Sequence, residues 1–214
     1  MDLSFLEVLL PMLFSGLKVT IQISVLGILL GTVVGSLTGY ALQGSNKITK
    51  FIADVYIWII RATPLMVQAL YCYYVLPKMI GVNFGSTTVG ILVIALNSGA
   101  FISEIVRGAL GGIDPGQKEA ALSLGMSKMQ AMIHIIIPPA FKAAMPALFN
   151  QFIISVKDTA ILSVIVVNDI TYMGKAYAAL SFKLIPTYTV LAIFYLVFLS
   201  ILIIIQKQIE KKMS

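Results

Sequence analysis

Residues 113–139 constrain the fold more than any other stretch, because they interrupt a chain that is otherwise largely apolar. The chain has 214 residues, of which 59% are hydrophobic and 11% charged. Soluble domains carry about 25% charged residues, so the composition predicts an integral membrane protein. The stretch 113–139 contains Lys118 and Glu119, and it is too polar to cross a bilayer. We call it the connecting segment and expect it to lie at the membrane surface.

The connecting segment carries the sequence signals of two short helices and a bend. Asp114 followed by Pro115 is typical of a helix start, and Gly125 is typical of a helix end. Ser127–Gln130 has the spacing of a second capping box, and Pro138–Pro139 is expected to end the second helix. The first helix would be about 15 Å long, too short to span a membrane. We predict a rigid projection, with a solvated amphipathic linker helix as the alternative.

Apolar runs of membrane-spanning length predict an all-α membrane protein with five transmembrane helices. The predicted spans lie near 13–40, 52–78, 86–111, 141–167 and 187–206. The second is interrupted by Asp54 and Arg61, and Pro64 should kink it. Counts of four or six spans would require splitting a span or burying a polar loop.

The distribution of lysines predicts that the N-terminus lies outside and the C-terminus inside, because cytoplasmic loops are enriched in basic residues. This orientation puts eight lysines inside, namely Lys47, Lys50, Lys118, Lys128, Lys142, Lys207, Lys211 and Lys212. It leaves three outside, namely Lys78, Lys175 and Lys183. The connecting segment is then cytoplasmic. The net charge of +6 therefore reports topology and is no sign of nucleic-acid binding.

The first span carries a glycine at every fourth position: Gly27, Gly31, Gly35 and Gly39. This spacing forms a flat helix face that another backbone can approach closely in lipid. We expect helix packing along this face, either within the chain or between two copies of it.

Polar side chains within the third and fourth spans form two stripes, each on one helix face. They are Asn97 and Glu104 in the third span, and Gln151, Ser155 and Asp158 in the fourth. Polar groups at membrane depth usually face a wet cavity or the protein interior, so both stripes are candidates for a substrate pocket. The alternative is that the charges pair with one another, as Glu104 and Arg107 can at a spacing of three residues.

Several chemical functions lack their sequence patterns. There is no Gly-x-x-x-x-Gly-Lys-Ser/Thr loop for nucleotide phosphates, and no nucleophile-elbow or zinc-protease pattern. Cys72 and His134 are the single cysteine and histidine, which predicts no metal site. We therefore expect no catalytic residues and no cofactor in this chain, and any energy source must be another polypeptide.

Four motifs carry a resemblance to a known family. Glu119-Ala120-Ala121, then Gly125 and later Ile135-x-Ile137-Pro138, resembles the EAA signature of ABC-importer permease subunits, with Ile137 in place of the usual leucine. The motifs Arg61-Ala-Thr-Pro64, Glu104-Ile-Val-Arg107-Gly108 and Lys157-Asp158-Thr159 narrow the resemblance to the polar amino acid permeases. That subfamily more often has glycine at Ala62 and Ser-Leu at Ala160-Ile161. The resemblance covers nearly the whole chain.

The resemblance implies one permease domain, residues 1–214, with the type I ABC importer transmembrane fold in a bacterial inner membrane. It implies a dimer with an identical or homologous permease, two ATPase subunits that bind ATP and Mg²⁺, and an extracellular substrate-binding protein that delivers an amino acid. Glu119, Ala120, Ala121 and Gly125 would then couple the chain to the ATPases. A self-sufficient channel or ion-coupled carrier is the alternative function, and a membrane-embedded enzyme is a third.

Overall fold

The computed structural model describes residues 4–213, and these residues are helical with no strand among them. Residues 1–3 and 214 and the side chains of Lys212 and Met213, which belong to the predicted domain, lie outside the described part of the chain. The helices are α1 (Leu6–Gln43), α2 (Lys47–Ala62), α3 (Leu65–Ile80), α4 (Ser86–Gly111), α5 (Pro115–Ser123), α6 (Lys128–Ile165), α7 (Ile170–Ser181) and α8 (Leu184–Met213). The all-α prediction is confirmed.

Four of these helices, α1, α4, α6 and α8, are long and apolar enough to cross a bilayer. The helices α2 and α3 pass the same test together, as one span that bends by 104° at a short break. Counting this pair as one broken span gives the predicted number of five. The helix predicted over 52–78 is thus neither straight nor continuous, since proline removes a backbone donor and restrains the residue before it.

The prediction that Pro138–Pro139 ends a helix is wrong. The helix continues through both prolines and runs from Lys128 to Ile165. Directly before them, Met132–Ile136 forms a wider π-helical turn. The prolines then occupy the opening positions of the next α-helical stretch, where a missing N–H costs little. Helix α6 therefore joins the connecting segment to the fourth span without interruption.

The glycine face of α1 is covered by α4 of the same chain. A Cβ atom placed on Gly31 would lie 2.1 Å from the Ser98 side-chain oxygen, and one on Gly35 would lie 2.6 Å from the Gly99 carbonyl oxygen. Gly27 and Gly39 meet α4 in the same way. Backbones approach this closely only where side chains are missing. The α1–α4 pair is the rigid centre to which the other helices are attached.

Two buried apolar clusters complete the core. One joins α1, α3, α4 and the end of α6 through Ile23, Ala69, Val89, Val93, Ile94, Leu162, Ile165 and Val167. The other joins the start of α1 to α7 and α8 through Phe5, Leu9, Leu13, Ile170 and Leu191. The connecting segment belongs to neither cluster. It projects from the end of α4 and the start of α6.

Candidate functional site

Helix α5 in the connecting segment is closed at both ends by its own sequence. The Asp114 carboxylate accepts the backbone N–H of Gly116 at 2.8 Å. At the other end Gly125 has a φ of +81°, and Met126 N–H donates to the Ala121 carbonyl at 3.1 Å. This is the Schellman arrangement, which satisfies carbonyls that a helix end leaves free. The predicted cap and bend both lie where the sequence places them.

The start of α6 is closed by the predicted capping box. The Ser127 hydroxyl accepts the N–H of Gln130 at 3.2 Å, and the Gln130 side-chain oxygen accepts the N–H of Ser127 at 2.8 Å. Together with the Gly125 bend, the box fixes how the two helices of the segment meet. The segment is ordered by local hydrogen bonds, and it needs no large core of its own.

The motif Glu119-Ala120-Ala121 presents only part of itself outwards. Ala121 is buried against its own chain, while Glu119 and Ala120 are exposed. Ala121 therefore packs α5 onto its own chain. Of the three motif residues, Glu119 and Ala120 are the ones whose side chains are free to contact a partner. The segment also exposes apolar side chains, with Leu124 84% and Met129 63% exposed. An apolar surface beside a carboxylate, on a rigid support, is typical of a docking site.

The predicted polar stripes lie on helices that pack together, α4 and α6. Asn97, Gln151 and Ser155 are buried. Gln151 is 4% exposed, and its side-chain nitrogen has no hydrogen-bond partner among residues 4–213. A buried donor without an acceptor is costly, so the site favours a ligand atom that accepts a hydrogen bond.

The charged residues of the stripes are less enclosed. Glu104 forms an ion pair with Arg107, whose Nε lies 3.0 Å from the carboxylate. The local pair considered as an alternative therefore exists, and Glu104 is partly exposed beside it. Asp158 is also partly exposed and lies where the α-helical part of α6 tightens into a 3₁₀ helix at Thr159–Ile165.

Two contacts near the stripes were missed by sequence reasoning. The Tyr56 hydroxyl donates to the Leu96 carbonyl at 2.6 Å and fastens α2 to the middle of α4. The Arg61 guanidinium lies 5.7 Å from the centre of the Phe101 ring, which is a cation–π distance. Arg61 was recognised as an intramembrane charge, but no local pattern identifies a ring on another helix as its neighbour.

A buried carboxyl group, Asp169, was also missed as a feature of interest. Its Oδ1 accepts the backbone N–H of Tyr172 at 2.8 Å, so the side chain caps α7, and its Oδ2 has no partner among the described residues. Burial raises the pKa of Asp169 from 3.8 to about 6, opposed by backbone hydrogen bonds from Tyr172 and Thr171. The position directly before α7 signals the cap, but the burial depends on α1.

The polar residues offer no obvious metal centre: within residues 4–213, no group of three or more His, Cys, Asp and Glu side chains is placed to hold an ion. The predicted site residues provide hydrogen-bond donors and acceptors, carboxylates and two buried amides, Asn97 and Gln151.

Comparison with protein families matches residues 27–214 to the family described as binding-protein-dependent transport system inner membrane component. The glutamine transport system permease protein GlnP of Escherichia coli K12 is 38% identical over 205 residues, covering 95% of this chain and 94% of that protein. The arginine transport system permease protein ArtQ of Bacillus subtilis 168 is 31% identical over 204 residues, covering 95% and 93%.

Solved structures share the fold. The crystal structure of an amino acid ABC transporter with histidines superposes with a TM-score of 0.88 at 34% identity, covering 99% of this chain and 100% of that one. An inward-facing structure of the MetNI methionine ABC transporter superposes with a TM-score of 0.81 at 17% identity, covering 95% and 96%. The second likeness shows the fold alone.

Proposed function

The chain belongs to the family of binding-protein-dependent transport system inner membrane components, and we propose that it is the permease subunit of an ATP-driven importer of polar amino acids. The relatives GlnP and ArtQ serve glutamine and arginine transport, and the match to the amino acid ABC transporter structure covers 99% of this chain. The predicted type I ABC importer fold and the multi-pass membrane location agree with these matches.

Coupling to the ATPases is proposed to occur through α5 and the bend at Gly125. The observation that carries this proposal is the exposure of Glu119 on α5 and of Leu124 directly after it, on a helix that is capped at both ends. A capped helix transmits a push, whereas a loose loop would absorb it. A partner that covers Leu124 would bury apolar area, and a basic group on that partner would match the Glu119 carboxylate.

The proposed assembly follows from what this chain lacks. ATP and Mg²⁺ would bind two partner ATPases, since the chain has no phosphate-binding loop. A second permease, identical or homologous, would complete the pathway, and an extracellular binding protein would deliver the substrate. The lysine distribution supports an external N-terminus and a cytoplasmic connecting segment. ATP binding would then close the ATPases, move the two segments together and favour the outward-open state, because it stabilises contacts made only there.

The polar stripes of α4 and α6, two helices that pack together, are proposed to form the pocket that binds the amino acid. Gln151 offers an unpaired N–H to a carboxylate or carbonyl, Ser155 adds a hydroxyl, and Asp158 offers a carboxylate to an ammonium or amide. Gln151 and Asp158 are separated by about 10 Å along the helix axis. A substrate that reaches both needs polar groups at both ends, as an amino acid with a long polar side chain has. Asn97 and Glu104 would close the pocket from α4.

The test is a pair of variants with opposite expected defects. Glu119→Lys should weaken ATPase attachment and lower uptake by about tenfold or more, because reversing a charge at an interface costs several kcal/mol. Asp158→Asn should keep the ATPases attached and lower or redirect amino acid uptake. Attachment is measured by purifying the complex through a tag on this chain, and uptake in reconstituted vesicles with a panel of amino acids.

Glu210→Lys is the matched control, since it reverses the same charge near the end of α8, where Gln206 donates a hydrogen bond to Glu210. It should leave attachment and uptake close to those of the unaltered protein. Normal uptake in Glu119→Lys would contradict the coupling role, and unchanged uptake in Asp158→Asn would make Asp158 structural. Uptake by this chain without ATPases or ATP would favour the channel or ion-coupled carrier instead.

A further inference from the structure

The second span is broken between Ala62 and Leu65, where α2 and α3 meet at 104°. Thr63 and Pro64 both have extended backbone. For Thr63 the cause is Pro64, because a residue before proline avoids the helical region. In an unbroken helix the carbonyl of Ile60 would accept the N–H of residue 64, and proline has none to donate. The break therefore leaves a carbonyl within the span without its usual donor.

The side chain of Gln68 supplies that missing donor. Its Nε2 lies 2.8 Å from the Ile60 carbonyl oxygen, 3.0 Å from the Thr63 carbonyl oxygen and 2.9 Å from the Thr63 hydroxyl. The Thr63 hydroxyl donates its own hydrogen to the Ile59 carbonyl at 2.8 Å, so a lone pair faces the amide. The Gln68 amide thus donates to both carbonyls that the break releases.

The break and the two helices that meet at it, which we call the elbow, are held by different contacts on either side. Helix α2 is attached to α4 by the Tyr56 hydroxyl, while α3 packs into the buried cluster through Ala69. Beside the elbow lies a partly open cavity of about 300 Å³. Its lining is apolar apart from the elbow residues, and it includes Gln68, Tyr71, Cys72, Val93 and Leu96.

We infer that Gln68 is a positioning residue of the transport cycle, whose amide clamps the proline break and so fixes the angle between α2 and α3. This inference rests on the proposed function. The last turn of α2 carries Arg61, which lies over Phe101, and Phe101 is three residues from Glu104 on α4. The clamp therefore sets where a cation stands relative to one wall of the proposed pocket.

The elbow angle is measured by the distance between two spin labels in the membrane-reconstituted protein. Trp58→Cys on α2 and Met79→Cys on α3 provide exposed labelling sites in a Cys72→Ser background. With Gln68 present we expect one narrow distance distribution. Gln68→Leu keeps the size of the side chain and removes the donor, and we expect a broader distribution shifted to longer distances.

Pro64→Ala tests the mechanism, because it restores the N–H that Gln68 replaces. In the Gln68→Leu/Pro64→Ala double variant the distribution should narrow again, at the longer distance of a straighter span. Gln43→Leu is the matched control: it removes an equivalent amide bond, from Gln43 Nε2 to the Arg107 carbonyl at 3.0 Å, away from the elbow. It should leave the distribution unchanged.

An unaltered distribution in Gln68→Leu would overturn the inference. Where that variant fails to accumulate, Gln68→Asn is measured instead, since its amide falls one methylene short of the Ile60 carbonyl, and an unaltered distribution there is equally decisive. In the assembled complex we expect slower ATP-dependent uptake with the ATPases still attached. Failure of the unaltered complex to transport would count against the proposed function, whereas the label distances judge the clamp independently.

Discussion

Two short helices, α5 and α7, lie at opposite ends of α6, and both begin at an aspartate cap. In α7 the cap Asp169 is fully buried, and Ile170, Gly174 and Ala178 pack against the rest of the chain. In α5 the cap Asp114 is exposed, and Ala121 is the buried residue. The same aspartate cap therefore begins α7, which the rest of the chain covers, and α5, which remains largely exposed. The difference indicates that α7 is part of the packed core, and it supports the proposal that α5 is a docking helix.

The largest expected effect on stability comes from Gly16, where α1 contacts the start of α7. A Cβ atom on Gly16 would lie 2.7 Å from the backbone of Asp169 and Ile170, which cannot move aside as a side chain would. Gly16→Leu should therefore destabilise the protein by about 3 kcal/mol or more, seen as a lower Tm in detergent. Gly108→Leu is the control, because nothing lies within 4 Å of its added Cβ. Equal Tm values for the two variants would contradict the close packing of α7.

A moderate effect on the pH dependence of stability is expected from Asp169, the buried cap of α7. Because burial raises the pKa of Asp169 to about 6 from 3.8, the folded state binds a proton more tightly than the unfolded state. Stability gained by protonation is present at low pH and is lost as pH rises from about 4 towards about 6. Asp169→Asn keeps an acceptor for Tyr172 and should flatten this part of the profile of Tm against pH.

Asp114→Asn at the exposed cap is the matched control for that experiment and should leave the profile as it is. A Tm of Asp169→Asn that still falls over the same pH range would assign the dependence to another group.

The smallest effect on stability is expected at the exposed helix α5. Asp114→Ala removes a cap bond and should cost about 1 kcal/mol of local helix stability without changing Tm, because α5 contributes little to the core. Hydrogen exchange at Gly116 and along the first turn should accelerate. Binding of the ATPases should restore protection if α5 is their docking site. A loss of Tm as large as that of Gly16→Leu would remove the distinction between the two helices.

Sequence patterns correctly predicted the features that depend on neighbouring residues, namely helix bounds and helix caps. The third predicted span, 86–111, has the bounds of α4, and the caps at Asp114 and Ser127 form the hydrogen bonds that their spacing implies. The length of the apolar runs likewise predicted five spans, which the structure matches when α2 and α3 are counted as one broken span. Motif spacing was enough to indicate the family before any comparison.

Non-local contacts account for what the sequence did not reveal. The continuation of α6 past Pro138 depends on a π-helical turn, and the inward direction of Ala121 depends on where α5 docks. The burial of Asp169 requires Gly16, which lies far away in the sequence. No window of neighbouring residues contains these relationships. The unpaired amide of Gln151 belongs to the same class, since its position on a polar stripe was predictable but its isolation was not.

The unbroken course of α6 has a mechanical consequence. A helix of 38 residues is about 57 Å long, so a tilt of about 5° at one end displaces the other by about 5 Å. If α6 tilts as one body about its capped end, the displacement grows with distance from that end, and Gln151 and Asp158 lie along this helix. Under the proposed function, the helix that receives the movement of the ATPases would also carry part of the substrate site.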